Sequence, residues 1–224
     1  SHQLTQLYGY CSRPGGGLFL LRSPGVSMRT QNITPASLPA GSFMTPELSL
    51  DAQRLLFAYC PVQTAPEAWS FDDRTKALRY HIYALNLANG AVRPLTRGDT
   101  DNFFPLCLPS GDILFSSTRR GGYHRCGRGP CPVYTLARMG PDGDNPHSIS
   151  FHETHEWDPC LLNDGRVIYT RWDYVDRNAV LYQQLWSARP DGGNVRIYFG
   201  NNTWNPAGTW EARAVPGSHR VMAT

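Results

Sequence analysis

The stretch His152–Arg177, HETHEWDPCLLNDGRVIYTRWDYVDR, carries the pattern that decides the fold. Its centre has two short apolar runs, DPCLL and RVIYTRW, on either side of the turn Asn163–Gly165. Asp and Gly allow a chain to reverse within a few residues, and each run has strand rather than helix length. The centre therefore predicts a β-hairpin. A His/Glu cluster precedes this hairpin, and a Trp/Asp/Tyr/Arg segment follows it.

The pattern of the central hairpin recurs along the chain. In each copy a Pro or an Ala follows a polar or aromatic residue, and then come a short apolar stretch, a turn and an apolar run. The copies are TPELSLDAQRLLFAY (Thr45–Tyr59), FPLCLPSGDILFSST (Phe104–Thr118), DPCLLNDGRVIYTRW (Asp158–Trp172) and EARAVPGSHRVMAT (Glu211–Thr224). A repeat of roughly fifty residues is typical of proteins built from stacked structural units.

A second hairpin follows each of the first three copies. Asn-Gly or Asp-Gly lies between two strand-like runs in His81–Thr96, Val133–Ser150 and Leu185–Phe199, and Leu18–Ile33 resembles the end of a preceding unit. Each unit then has four antiparallel strands, which predicts a blade of a β-propeller. The alternative, a β-sandwich with Greek-key links, does not predict two turns at repeated places in every unit.

The predicted fold is all-β, with residues 1–224 forming one partial β-propeller domain of about four blades. The predicted units are residues 8–38, 42–97, 101–151, 155–199 and 208–224. Because the first and last units are shorter than the others, we expect the chain to be a fragment of a larger protein.

The long connections of the predicted blades all fall on one face. If the strands of a blade are labelled a to d from the axis outwards, the b–c and d–a connections lie on one face, called here the loop face. The a–b and c–d connections lie on the opposite turn face. Residues 59–79, 119–132 and 171–183 are long b–c connections, and residues 152–157 form a d–a connection. Since loops on a rigid scaffold commonly carry binding and catalytic residues, we expect a site on the loop face, near the mouth of the central channel.

Three residues of one b–c connection form a candidate metal site. His124, Cys126 and Cys131 follow a His-x-Cys-x4-Cys pattern, which supplies three ligands that zinc accepts. The alternatives are a disulfide between the two cysteines, which would require an oxidising compartment, and buried free thiols.

The d–a connection contains a second candidate metal site at His152 and His155. Both lie in HETHEW, next to two glutamates, and imidazoles at a channel mouth can bind a cation or exchange protons. The spacing differs from that of the helical zinc motif HExxH. The alternative is that these side chains cap the channel or bond to neighbouring backbone.

Rigid aromatic rings and paired charges surround these histidines and predict a ligand-binding rim. The predicted rim residues are Glu153, Glu156, Trp157, Arg171, Trp172, Asp173, Tyr174, Asp176 and Arg177. Trp204 and Trp210 could extend the same surface, which would suit a peptide or a carbohydrate. The alternative is a clamp between blades, in which Arg–Asp ion pairs are braced by Trp packing.

Four stretches of the sequence resemble the middle domain of the hydrazine synthase alpha subunit family, and more broadly TolB-like and WD40-like propeller repeats. They are STRRGGYHRCGRGPCPVYTLARMGPDGDN (Ser117–Asn145), SFHETHEWDPCLLNDGRVIYTRWDYVDR (Ser150–Arg177), LWSARPDG (Leu185–Gly192) and ARAVPGSHRVMAT (Ala212–Thr224). The resemblance implies a bacterial propeller, periplasmic or extracellular, inside a larger multidomain protein that often has haem-bearing or carbohydrate-associated domains. Covalent haem attachment needs Cys-x-x-Cys-His. Four residues separate Cys126 from Cys131, and Pro132 follows, so we expect no haem within this chain.

Composition argues against two classes of partner. The formal net charge is +3, Lys76 is the single lysine, and the arginines are scattered rather than clustered, which argues against a nucleic-acid partner. No apolar run is long enough to span a bilayer. We therefore expect a binding or scaffolding module whose partners are other domains of the same polypeptide and a peptide or carbohydrate ligand. The alternative is part of a metal- or haem-dependent redox enzyme with its site at the channel mouth.

Overall fold

The computed structural model describes residues 13–65, 78–123, 131–174, 182–200 and 203–224. These residues form three four-stranded antiparallel sheets and two hairpins. The first hairpin has β1 (Phe19–Leu21) and β2 (Thr30–Asn32), and the last has β15 (Arg213–Ala214) and β16 (Val221–Met222). Blade I has β3 (Ser42–Leu48), β4 (Arg54–Cys60), β5 (His81–Asn86) and β6 (Val92–Pro94). Blade II has β7 (Asn102–Cys107), β8 (Ile113–Ser117), β9 (Thr135–Met139) and β10 (His147–Ser148). Blade III has β11 (Glu156–Leu161), β12 (Val167–Trp172), β13 (Gln183–Ala188) and β14 (Arg196–Phe199).

Each blade is an up-and-down meander, because the order of its strands in the sheet is their order in the sequence. The first strands of successive blades, β3, β7, β11 and β15, contact one another in that order. They therefore line a common axis, with the other strands further out. This arrangement confirms the predicted all-β partial propeller of four-stranded antiparallel blades.

The hydrophobic cores lie between neighbouring blades, so a central strand contributes to two of them. On β8, Phe115 packs with Leu56 of blade I, whereas the preceding residue, Leu114, packs with Val167 and Tyr169 of blade III. Successive side chains of a strand point to opposite faces of its sheet. All five residues of β8 are buried for this reason.

An equivalent β-bulge interrupts the first strand of each blade. The residues with positive φ are Thr45 (48°), Phe104 (50°), Asp158 (54°) and, just before β15, Glu211 (53°). In blades I to III the register of the a–b pair shifts at this point, and the next residue is Pro46, Pro105 or Pro159. Proline is tolerated in a strand at a bulge because it has no N–H to donate to the ladder. The proline that marks each sequence repeat is therefore a bulge residue.

In blades II and III the c–d turn packs against the outer edge of the blade before it. An added Cβ at Gly143, in the turn of blade II, would lie 2.3 Å from the carbonyl oxygen of Leu95 in blade I. The same addition at Gly192, in the turn of blade III, would lie 2.1 Å from the carbonyl oxygen of Ile149, which follows β10. Both glycines also have positive φ. The recurring Pro-Asp-Gly sequence is thus a docking element between blades.

Several sequence predictions concern residues outside the described ranges. His124, Cys126, Asp176 and Arg177 are among them, together with most of the first long b–c connection. Within the described ranges, no helix has the length and hydrophobicity that crossing a bilayer requires.

Candidate functional site

The loop face carries the long connections between strands. Its b–c connections run from residue 61 to 80, from 118 to 134 and from 173 to 182, whereas the a–b connections of the turn face run only from 49 to 53, from 108 to 112 and from 162 to 166. The antiparallel order of the strands brings all the b–c connections to the same face. The candidate site is built on this face.

His155 is a core residue immediately before β11. Its side chain is 0% exposed, and its ring stacks on Trp172, with centroids 5.8 Å apart and planes inclined by 8°. Its Nδ1 accepts a hydrogen bond from the backbone N–H of Tyr134 at 3.2 Å, so a neutral ring carries its proton on Nε2. This contact is the one foreseen by the alternative interpretation, a bond to neighbouring backbone.

A continuous row of rings crosses the three blades beneath the loop face. Successive ring centroids are 4.6 Å apart for Tyr80–Phe103, 5.6 Å for Phe103–Tyr134, 5.5 Å for Tyr134–His155, 5.8 Å for His155–Trp172 and 5.3 Å for Trp172–Tyr174. Trp157 joins the row through His155, at 5.5 Å. Offset and tilted ring pairs of this kind add stabilisation beyond the area they bury. The row forms a rigid floor that links blades I, II and III.

Glu156 is a buried carboxyl group between blades II and III. It accepts a hydrogen bond from the Ser150 hydroxyl and another, at 3.4 Å, from the backbone N–H of Leu136 on β9. Burial raises the pKa of Glu156, although both hydrogen bonds oppose the shift. Glu156, Trp157 and Trp172 were predicted as rim residues, and the structure places their side chains beneath the rim, in the core.

Arg171, Asp173 and His152 form a polar cluster at the end of β12. The Nε of Arg171 donates to Oδ1 of Asp173 at 3.0 Å, and its guanidinium lies 3.9 Å from the ring centroid of Trp186. The Nε2 of His152 is 2.9 Å from the carbonyl oxygen of Trp172, to which it donates when protonated at that nitrogen. Burial, followed by the charge of Arg171, lowers the pKa of His152. The Arg–Asp pair is braced by a Trp, as the clamp interpretation expected, but the brace is Trp186, which the sequence did not single out. All three residues belong to blade III, so these contacts stiffen one blade and do not clamp two blades together.

The predicted zinc site stays a prediction. Cys131 is buried in the cluster that contains Tyr134 and Trp172, whereas His124 and Cys126 lie outside the described residues. Within the described ranges, no group of three or more His, Cys, Asp or Glu side chains is arranged to hold a metal ion.

The central channel has a cavity of about 230 Å³ at the level of the bulges. Its charged lining residues are Glu47, Asp158, Glu211 and Arg213. Burial raises the pKa of Asp158 to about 6; the charge of Glu211 adds to the shift, while Arg213 and a hydrogen bond from the Glu211 backbone oppose it. Burial also raises the pKa of Glu47. The channel therefore holds carboxyl groups that take up protons more readily than they would in water.

Exposed aromatic rings on the loop face were only partly anticipated. Tyr123 is 52% exposed, Phe151 75% and Trp204 82%, and all three lie in b–c or d–a connections. The large apolar side chains exposed in the described connections of the turn face are all aliphatic: Val26, Met28, Leu50, Leu87, Val195 and Val215. The sequence singled out Trp204 but not the other two rings. The sequence signal for these two rings was their position, because Tyr123 directly follows Gly121-Gly122 and Phe151 directly precedes the predicted d–a connection.

Comparison with known proteins shows the fold. No family model and no curated protein sequence matches the chain. Among solved structures, hydrazine synthase from Kuenenia stuttgartiensis is 13% identical, with a TM-score of 0.61 over 82% of this chain and 29% of that one. A putative TolB from Agrobacterium tumefaciens is 23% identical, with a TM-score of 0.57 over 82% of this chain and 56% of that one. A puromycin-hydrolyzing peptidase from Mycobacterium tuberculosis is 12% identical, with a TM-score of 0.53 over 86% of this chain and 27% of that one.

The fold is that of a TolB-like propeller. The chain spans little more than half the length of the TolB structure and less than a third of the hydrazine synthase chain. At these identities the likeness extends to the fold and not to an activity. Membership of the hydrazine synthase middle-domain family therefore stays a proposal.

Proposed function

We propose that the chain is a ligand-binding propeller module of a larger extracytoplasmic protein, with its binding site on the loop face. The observation that carries the proposal is the segregation of exposed rings. Tyr123, Phe151 and Trp204 project from loop-face connections, whereas the turn face exposes aliphatic side chains. Tyr and Trp combine a large apolar surface with a polar group, which is why they dominate binding surfaces for peptides and sugars.

The floor beneath these rings makes the loop face a suitable scaffold. His155 and Trp172 are wholly buried, and the contacts of Arg171 with Asp173 and Trp186 fix the end of β12 within blade III. A rigid platform lowers the conformational entropy that binding must remove. Residues predicted as a metal site or a rim then serve as support for the loops that touch the ligand.

The ligand class that we propose is a peptide or a carbohydrate. Aromatic rings that are widely exposed can stack on the flat face of a sugar or pack on apolar side chains of a peptide. The remaining partners would be other domains of the same polypeptide, and the compartment would be the periplasm or the cell exterior. The alternative, part of a metal- or haem-dependent redox enzyme resembling the hydrazine synthase alpha subunit, remains an expectation from the sequence.

The test is a binding screen of the intact chain on immobilised glycans and peptides, followed by two triple variants. The loop-face variant is Tyr123→Ala/Phe151→Ala/Trp204→Ala. The matched control removes three exposed apolar side chains from the turn face, Leu50→Ala/Leu87→Ala/Val195→Ala. We expect ligands of the unchanged protein to be lost by the loop-face variant and kept by the turn-face variant.

Two results would contradict the proposal. One is a ligand that binds the loop-face variant as tightly as the unchanged protein. The other is a screen in which the intact chain retains neither a glycan nor a peptide. Circular dichroism of both variants checks that a loss of binding is not a loss of fold.

A further inference from the structure

Arg119 is a half-buried cation at the junction of blades I and II. It lies in the 3-10 turn Thr118–Arg120, directly after β8. Its Nη1 donates to the carbonyl oxygen of Pro146 at 3.2 Å, and its Nη2 donates to Oδ1 of Asn102 at 3.1 Å. The guanidinium carbon lies 5.1 Å from the ring centroid of Phe115. These contacts fix the orientation of the guanidinium group, but all of them are with neutral groups.

Arg119 forms no ion pair with a carboxylate in the described part of the chain. The ion pairs found there involve other arginines or His152, and the Nε of Arg119 is buried without a hydrogen-bond partner. Burial lowers the pKa of Arg119, and no neighbouring carboxylate opposes the shift. A cation withdrawn from water without a partner is costly. A site that retains such a cation is prepared for an anion from outside the chain.

A cavity of about 600 Å³ borders this cation, between the outer strand of blade I and the c–d turn of blade II. Its charged lining residues are Arg93, Arg97, Arg119, Asp142 and Asp144. Arg93 and Asp142 neutralise each other in an ion pair. The carboxylate of Asp144 lies against Gly140 of its own turn, where an added Cβ would be 2.3 Å from its Oδ1.

Arg97 is the second cation available to a ligand in this cavity. It is exposed and forms no hydrogen bond or ion pair with a side chain of the described residues. Burial raises the pKa of Tyr83, and the charge of Arg97 opposes this rise. The cavity thus has one fixed guanidinium, Arg119, and one that can move towards a ligand, Arg97.

We propose that this cavity binds a small molecule carrying an oxyanion, held between Arg97 and Arg119. Guanidinium groups bind carboxylate, phosphate and sulfate through paired, charge-assisted hydrogen bonds. The volume is in the range of small-molecule sites, roughly 300–1,000 Å³, and exceeds what a single inorganic anion fills. An acidic sugar, either a sugar phosphate or a uronic acid, combines the size with the charge. None of the exposed rings Tyr123, Phe151 and Trp204 lines this cavity, so the proposal is tested independently of the function proposed above.

The test is isothermal titration of the intact chain with three probes at matched ionic strength: inorganic phosphate, glucose 6-phosphate and glucuronate. We expect saturable binding, tighter for at least one sugar-linked anion than for inorganic phosphate. Tighter binding of glucose 6-phosphate identifies a phosphorylated sugar as the ligand type, whereas tighter binding of glucuronate identifies a carboxylated one.

Two variants assign the binding to this cavity. Arg97→Gln is expected to weaken binding roughly tenfold, because it removes one charge-assisted contact, and Arg97 is exposed, so the substitution leaves the packing between blades intact. Arg119→Lys keeps the charge but loses the planar fork, so it should weaken binding as well. The control is Arg196→Gln on β14, an exposed arginine of blade III whose contact is Asn194. The proposal is overturned if none of the probes binds saturably, or if Arg97→Gln and Arg196→Gln bind equally well.

Discussion

Gly192 and Gly165 have almost the same φ angle in different surroundings. Their φ values are 84° and 83°. An added Cβ at Gly192 would lie 2.1 Å from the carbonyl oxygen of Ile149 in the preceding blade, whereas at Gly165 it would meet nothing within 4 Å. Comparing the two positions therefore separates two structural requirements for glycine: a positive φ angle, and the close approach of another backbone.

We expect Gly192→Ala to destabilise the protein more than Gly165→Ala. Left-handed backbone costs a residue with a Cβ about 1–2 kcal/mol, and this cost applies to both variants. Gly192→Ala also forces apart two backbones that are in contact, at a further cost of about 1–3 kcal/mol. Urea unfolding of the two variants measures the difference. Equal losses would mean that the turn of blade III does not dock as closely as described.

The bulges of the first strands are the elements that connect neighbouring blades at the axis. The hydroxyl oxygen of Thr45 accepts a hydrogen bond from the backbone N–H of Phe104, the bulge residue of the next blade, at 3.1 Å. Asp158 repeats this arrangement, since its carboxylate accepts from the backbone of Glu211, the next bulge residue. The same type of side chain-to-backbone hydrogen bond is therefore present at two of the junctions between first strands.

Thr45→Val is expected to lower the free energy of unfolding by about 1–3 kcal/mol, because it leaves the N–H of Phe104 without an acceptor. Valine keeps the shape and the β-branching of threonine. Thr45→Ser is the control, because serine retains the hydroxyl oxygen and should stay closer to the unchanged protein. Denaturant unfolding of the two variants gives the comparison. A serine variant as unstable as the valine variant would show that the methyl group, and not the hydrogen bond, matters at this position.

The turns and the order of the strands could be predicted from the sequence, because the residue preferences of a turn are local. Asn163–Gly165 and the Pro-Asp-Gly turns mark their own positions whatever surrounds them. The repeated prolines were recognised as a repeat but not as bulges, since a bulge is defined by the register of two strands.

The burial of His155 could not be predicted from the local sequence. It depends on Trp172, which meets His155 when β12 pairs with β11 in blade III. It depends also on Tyr134 of blade II, which meets His155 only when the two blades assemble. The brace of Arg171 was missed for a related reason. Trp186 lies on β13, and it comes close to Arg171 because that residue pairs with Gln184 two positions away on the same strand.

At the scale of the whole molecule, the channel couples stability to pH. Asp158 has a pKa of about 6, against an ordinary value of 3.8, chiefly because it is buried. The folded protein therefore binds a proton more tightly than the unfolded chain does. Its stability should rise as the pH falls through the folded pKa towards the unfolded one, and this gain is lost as the pH rises back above 6.

The variant that isolates this effect is Asp158→Asn, which cannot ionise but keeps an oxygen that can accept from Glu211. A shift from 3.8 to about 6 corresponds to roughly 3 kcal/mol. The unchanged protein loses this stabilisation as the pH rises, and the variant does not. We therefore expect the stability of the variant, relative to the unchanged protein, to increase from pH 4 to pH 7 by an amount of that order. Unfolding free energies measured across this range provide the test, and a difference independent of pH would contradict it. Glu47, Glu211 and Arg213 face the same cavity and would shape the midpoint.

The docking of the c–d turns of blades II and III on the preceding blades gives the molecule a direction of assembly. Gly143 contacts blade I and Gly192 contacts blade II, so in both cases the contact is with a part of the chain that leaves the ribosome earlier. Translation is slow enough for N-terminal units to fold before the units that follow them are complete. Each folded blade then provides the surface against which the c–d turn of the next blade packs. The docking of a newly synthesised blade therefore requires only residues that have already been translated.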